Sequence, residues 1–237
     1  MLPPYLGVQM ARHYPSQELP VLNRKQVARA NAHEGLDVVM CFEGWERDGL
    51  SREEFLAVRE KQSEAFHLAL SGYHVKEFLA DPIGEEALQS MVDAGACLRR
   101  DYSSYFRKSG VPTPESSQRP WLVGLTREEA FAHPGSHLAG LFVYARPRFH
   151  FTWAEQLLLQ HALMGETCED LAASLFLSPW TVKKRWQAIY ERVAEIDREL
   201  LPPVPDVAHA TSRGAERRRR LLNYLRQHPE ELRPFNE

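Results

Sequence analysis

Eight residues between positions 167 and 192 carry the chemistry of this chain: Thr167, Ser178, Thr181, Lys183, Lys184, Arg185, Gln187 and Arg192. Hydroxyls at helix starts cap backbone N–H groups and orient toward phosphate oxygens. Lysine and arginine neutralise phosphate. Long polar side chains carry the donors and acceptors that match base edges in the major groove. From 181 to 185 there are three cations and no anion. Such residue types, concentrated at the start of one helix, point to recognition of duplex DNA.

Three helices must position these groups. The first carries an apolar stripe at Leu158, Leu159, Ala162 and Leu163 and is stopped by Gly165. The second starts at Thr167 with Asp170 three residues on, a capping-box spacing, and its apolar positions are Leu171, Ala172 and Leu175. Leu177 and Ser178 then make a tight turn. Ser178 suits an N-cap and Pro179 the first helical position of a helix over 179–193. Trp180, Val182, Trp186 and Ile189 are candidates for its packed positions. Lys183, Lys184, Arg185, Gln187 and Arg192 remain for its wet side.

The run Glu155, Gly165, Thr167, Asp170-Leu171-Ala172, Leu175, Leu177-Ser178 and Thr181-Val182-Lys183 resembles the C-terminal domain of LuxR/NarL-type transcription regulators. Trp186 is bulkier than the family's usual aliphatic residue, and TWAEQ lacks the arginine the family places before its acid. The resemblance implies a helix-turn-helix domain that binds DNA. Lys184 and Gln187 would read bases, with Ser178, Thr181, Lys183 and Arg185 at phosphates. It also implies a fourth helix that mediates dimerisation, which residues 215–228 with Leu221, Leu222 and Leu225 would supply. The connection before that helix, about 195–213, is longer than usual for the family. The expected assembly is a homodimer on a palindromic operator.

Composition bounds the rest. The chain has 237 residues, 43% hydrophobic and 26% charged, with a net charge of −3. That suits a globular protein of one large or two small domains, and its basic character is local. Six arginines and one acid, Glu216, lie between 213 and 226. Arg217–Arg220 reads either as a phosphate-steering patch or as a solvated helix face. Cys41, Cys97 and Cys168 have no metal-ligand spacing. MLPPYLGVQMARHYP lacks the apolar core of a signal peptide, and no stretch approaches a membrane span. The expectation is a cytoplasmic protein with reduced thiols and no membrane partner.

The predicted class is α+β: a mixed α/β sensor-like domain over 1–147, with an antiparallel sheet flanked by helices, and an all-α helix-turn-helix domain over 148–237. In the first domain the pattern predicts helices at 24–35, 51–72 and 84–110 and strands at 36–44, 121–125 and 137–146. Residues 73–80 suit either state. The order late in this domain, about 85–146, resembles GAF- or PAS-like sensors fused to LuxR-type readers. That resemblance implies a small-molecule effector held against the sheet, for which Trp45, Tyr102, Tyr105, Phe106 and Trp121 are candidates. Core packing is the alternative for each. Asp81-Pro82-Ile83 is similar to a step in acyl-homoserine-lactone receptors, and reads equally as a turn. The acids and alternating βα pattern of a phosphorelay receiver are missing.

No catalytic or metal motif emerges. The ten histidines form neither H-x-H nor H-E-x-x-H. The chain is expected to be no enzyme and to need no cofactor. Two rivals to a DNA-binding regulator stay open. One is a sigma-factor-like promoter reader bound to RNA polymerase, itself a possible partner of a regulator. The other is a helix-turn-helix adaptor that docks proteins through Trp180 and Trp186.

Overall fold

Capping boxes open many of the helices. The computed structural model describes residues 22–40, 49–110, 112–201 and 210–236. The chain divides into two compact units, Met1–Tyr144 and Ala145–Glu237, against an expected division after residue 147. In the first unit, Asn23 with Gln26 opens α1 (Arg24–Ala32), and Ser51 with Glu54 opens α2 (Arg52–Leu70). Each side chain satisfies a backbone N–H that the first helical turn leaves unpaired. Strand β1 (Leu36–Met40) lies between these helices, and β2 (Val75–Ala80) follows them. Next come α3 (Glu85–Asp93), β3 (Cys97–Asp101), α4 (Ser103–Ser109), β4 (Trp121–Thr126) and α5 (Arg127–Ala132).

The fold is mixed α/β, and two expectations about it need correction. The sheet, in the order β1-β2-β4-β3, is mixed rather than antiparallel, because β1 pairs parallel to β2 while β4 runs antiparallel to both neighbours. The expected strand at 137–146 is instead a 3-10 helix over His137–Phe142. Leu138, Ala139, Leu141 and Phe142 are all buried there, a pattern that strict strand alternation would not give. Two elements are additional. Strand β3 interrupts the segment expected to be mostly helical, and α5 rises from a Thr126/Glu129 capping box.

Val75, Phe78, Ala80, Val123 and Leu125 of the sheet pack with Leu138, Leu141 and Phe142 into the core of the first unit. Gly124 of β4 pairs with Leu79 of β2. A Cβ there would lie 2.5 Å from Leu79 Cδ2 and 2.6 Å from the Phe78 carbonyl oxygen. Tyr102 and Phe106 are buried in a separate small cluster with Tyr105 and Leu122.

The second unit contains α6 (Trp153–Leu163), α7 (Cys168–Ser174), α8 (Pro179–Ile196) and α9 (Ala210–Gln227), then a 3-10 turn over Pro229–Leu232. Leu158, Leu159, Leu171, Val182 and Ile189 from the first three helices form its centre. No helix among the described residues is long and apolar enough to cross a membrane.

Candidate nucleic-acid interface

The turn between α7 and α8 sets the direction of α8. Phe176 takes a left-handed backbone conformation at φ 53°, and Leu177 N–H closes the turn on the Ala172 carbonyl at 2.8 Å. Ser178 then caps α8, its Oγ accepting from Thr181 N–H at 3.1 Å, with Pro179 in the first helical turn. The Ser178 and Thr181 hydroxyls bond each other at 2.8 Å. Both are therefore committed to the cap, and α8 begins with no acid in its first turn. The helix dipole, with Lys183 and Lys184 exposed just past the first turn, makes a positive end there.

Burial divides α8 lengthwise. Val182, Trp186, Ile189 and Val193 recur at helical spacing and are buried. Lys183, Lys184 and Gln187 are exposed, and Gln187 Nε2 donates to Glu191 Oε1 at 2.9 Å. Trp180 is not packed, contrary to expectation. It is 68% exposed, with Lys184 Nζ 5.1 Å from its ring centroid. Spacing carried the signal: two residues before buried Val182, Trp180 falls on the opposite side of a 3.6-residue helix. Trp186 is 5% exposed and stacks on Tyr190 at 5.4 Å. Phe176, which the sequence reading passed over, is 96% exposed.

The remaining predicted residues serve the unit itself. Arg192 donates to the His150 carbonyl at 2.7 Å and pairs with buried Glu155 at 3.2 Å. Its guanidinium thus turns from the wet side toward α6. Arg185 leans the same way, its Nη1 3.5 Å from the Ala154 carbonyl. Thr167 caps α7. Its Oγ1 donates to Asp170 Oδ2 at 2.8 Å, and bonds from Thr167 hold the Asp170 carboxyl below its usual range.

The leucines of α9, expected at a dimer contact, pack inside their own unit. Leu221, Leu222 and Leu225 are 0%, 8% and 1% exposed within their own unit. Side chains so covered leave a second subunit nothing to touch, so they do not form a dimer face. The arginine run divides as well. Arg217 lies 4.8 Å from the Tyr190 ring centroid and Arg218 5.0 Å from that of Trp186. Arg218 Nη2 also donates to the Glu166 carbonyl at 2.5 Å. Burial pushes the Tyr190 phenol up to about 12. Arg219 and Arg220 face outward and bond Glu216, which lowers its carboxyl to about 2.

Glu231 anchors the end of the unit. Its carboxylate is fully buried and accepts from Arg148 N–H at 2.9 Å, Phe149 N–H at 3.0 Å and Tyr224 Oη at 3.3 Å. Burial raises its pKa against the lowering effect of these bonds.

In the first unit, Trp45 and Cys41 lie outside the described residues. Tyr102 and Phe106, expected around an effector, are buried against Tyr105 and Leu122. Trp121 stands under the Arg119 guanidinium at 4.6 Å, and Arg119 pairs with Asp101 at 2.7 Å. These aromatic residues are thus occupied by one another and by an ion pair. Among the described residues, no three His, Cys, Asp or Glu side chains gather to hold a metal.

Set against protein-family models, curated proteins and solved structures, the chain matches none of them.

Proposed function

We propose that the second unit binds duplex DNA with α8 in the major groove, and that the chain is a transcription regulator of LuxR/NarL type. One observation carries the reading. The inward face of α8 is committed to the core, while its outward face presents Lys183, Lys184 and Gln187 beside a capped, acid-free N-terminus. Lys184 and Gln187 read base edges. Lys183 and the first N–H groups of α8 hold phosphates. Arg192, Ser178, Thr181 and Thr167 position the helices rather than touch DNA. Arg185, on the flank of α8, leans toward α6.

A small reader of this kind gains area by pairing, so a homodimer on a palindromic site is the proposed assembly, with a contact surface other than the buried leucines of α9. The first unit regulates, either through a small-molecule effector or through contact with RNA polymerase. Its four-stranded sheet argues against a sigma-factor-like protein, whose upstream region would be helical.

Genome-fragment selection with the purified full chain tests this reading, followed by a salt titration on the enriched sequence. An enriched inverted repeat, with affinity falling linearly on a log–log salt plot, is the expected result. Binding indifferent to sequence, or no binding at all, overturns it.

A further inference from the structure

We infer that Trp180 contacts bases from the same face of α8, and that the group it recognises is the 5-methyl of thymine. The inference rests on the reading of α8 as a DNA-reading helix and deepens it.

Trp180 is the second residue of α8, and the N-terminal residues of a recognition helix are those that reach base edges. Positions 180, 184 and 187 are spaced i, i+4 and i+7, so Trp180, Lys184 and Gln187 form one stripe. The stripe lies opposite buried Val182, Trp186, Ile189 and Val193. At 68% exposure the indole is the largest apolar surface on that stripe. Phe176, 96% exposed in the preceding turn, is a second large apolar side chain left uncovered before the helix start.

Charge decides the occupant. Lys184 Nζ stands 5.1 Å from the indole centroid, and α8 has no acid in its first turn. A partner must therefore offer an apolar group set among negative charges. The major groove does so, because the thymine methyl is its apolar mark and phosphates line both rims. The Lys184 ammonium held over the ring is delivered to the same step that the indole covers, so one pair supplies both the apolar and the charged contact.

The experiment uses the full chain and its enriched sequence, with each thymine replaced in turn by deoxyuridine, which lacks only the 5-methyl. For the wild type, one thymine per half-site should lose about fourfold in affinity on replacement, as expected for one lost buried carbon. Trp180→Ala should bind the thymine site more weakly and be indifferent to the replacement. A circular-dichroism melt of Trp180→Ala verifies the fold, and the wild-type scan stands independently of that variant. A wild type that binds DNA but shows no methyl-sensitive thymine overturns the inference alone. So does a Trp180→Ala chain that keeps the wild-type sensitivity, and Trp180 with Phe176 would then stand as a protein-docking surface. A wild type that binds no DNA overturns the reading of α8 itself.

Discussion

Arg192→Ala separates a helix-positioning arginine from a phosphate contact. The guanidinium bridges the His150 carbonyl at 2.7 Å and the Glu155 carboxylate at 3.2 Å, with side-chain exposures of 30% for Arg192 and 8% for Glu155. Removing one member of a buried ion pair costs about 3–5 kcal/mol. Two features lower that figure. The arginine is partly hydrated, and Glu155 keeps its bonds from Thr152 N–H at 2.7 Å and Thr152 Oγ1 at 2.8 Å. The expected loss is about 2 kcal/mol, a drop in melting temperature on the order of 10 °C for a unit of this size. The slope of log affinity against log salt should not change. Lys183→Ala, which removes an exposed phosphate contact, is the mirror case: an unaltered melt and a slope shallower by about 0.9. Both are read from a thermal melt followed by tryptophan emission and a salt titration on one DNA site. If Arg192→Ala melts with the wild type and flattens the salt slope, Arg192 holds a phosphate and does not position the helices.

Three further outcomes follow from the packing. Burial holds the Asp81 carboxyl at about 6 against an ordinary 3.8, so between those values the folded chain binds more protons than the unfolded one. Stability should fall as pH rises through that window, by at most about 3 kcal/mol, and Asp81→Asn should abolish the fall in pH-dependent urea titrations. Gly124→Ala should destabilise the first unit by about 2 kcal/mol or more, because the new methyl meets the Phe78 carbonyl oxygen at 2.6 Å; denaturant midpoints measure it. Leu221→Ala should cost about 3 kcal/mol and leave the oligomeric state unaltered in sedimentation, since the side chain is fully buried in its own unit.

Local signals were legible in the sequence where a few neighbouring residues decide the outcome. Ser51 with Glu54, Thr167 with Asp170, and Ser178 before Pro179 each mark a helix start, and each cap forms. The capping box of Thr126 and Glu129 was as plain, yet α5 was passed over because an apolar strand precedes it directly. Strand β3, CLRRD, was absorbed into a helical reading. Its charged residues conceal the alternation, and its pairing partners in β4, from Cys97↔Gly124 to Asp101↔Trp121, are distant in the chain. The run 137–142 is buried on several sides, which removes the periodicity that tells strand from helix. On the interface, the lysines and the cap were readable from type and spacing. The diversion of Arg192 to Glu155 was not, because it depends on how α6 lies against α8. Nothing in the sequence ties Glu231 to residues 148 and 149.

That last bond has a consequence for how the DNA-facing unit can be handled. One carboxylate grips the backbone at Arg148 and Phe149 from 83 and 82 residues further on. The unit's two extremities are therefore neighbours, fastened like a clasp on a necklace. A unit so closed can be lifted out as a cassette and spliced into a surface loop of a host protein without prising the host apart. Cut short of residue 231, the same cassette would lose the grip on its own first residues, so its usable boundary is drawn by the clasp rather than by the last helix.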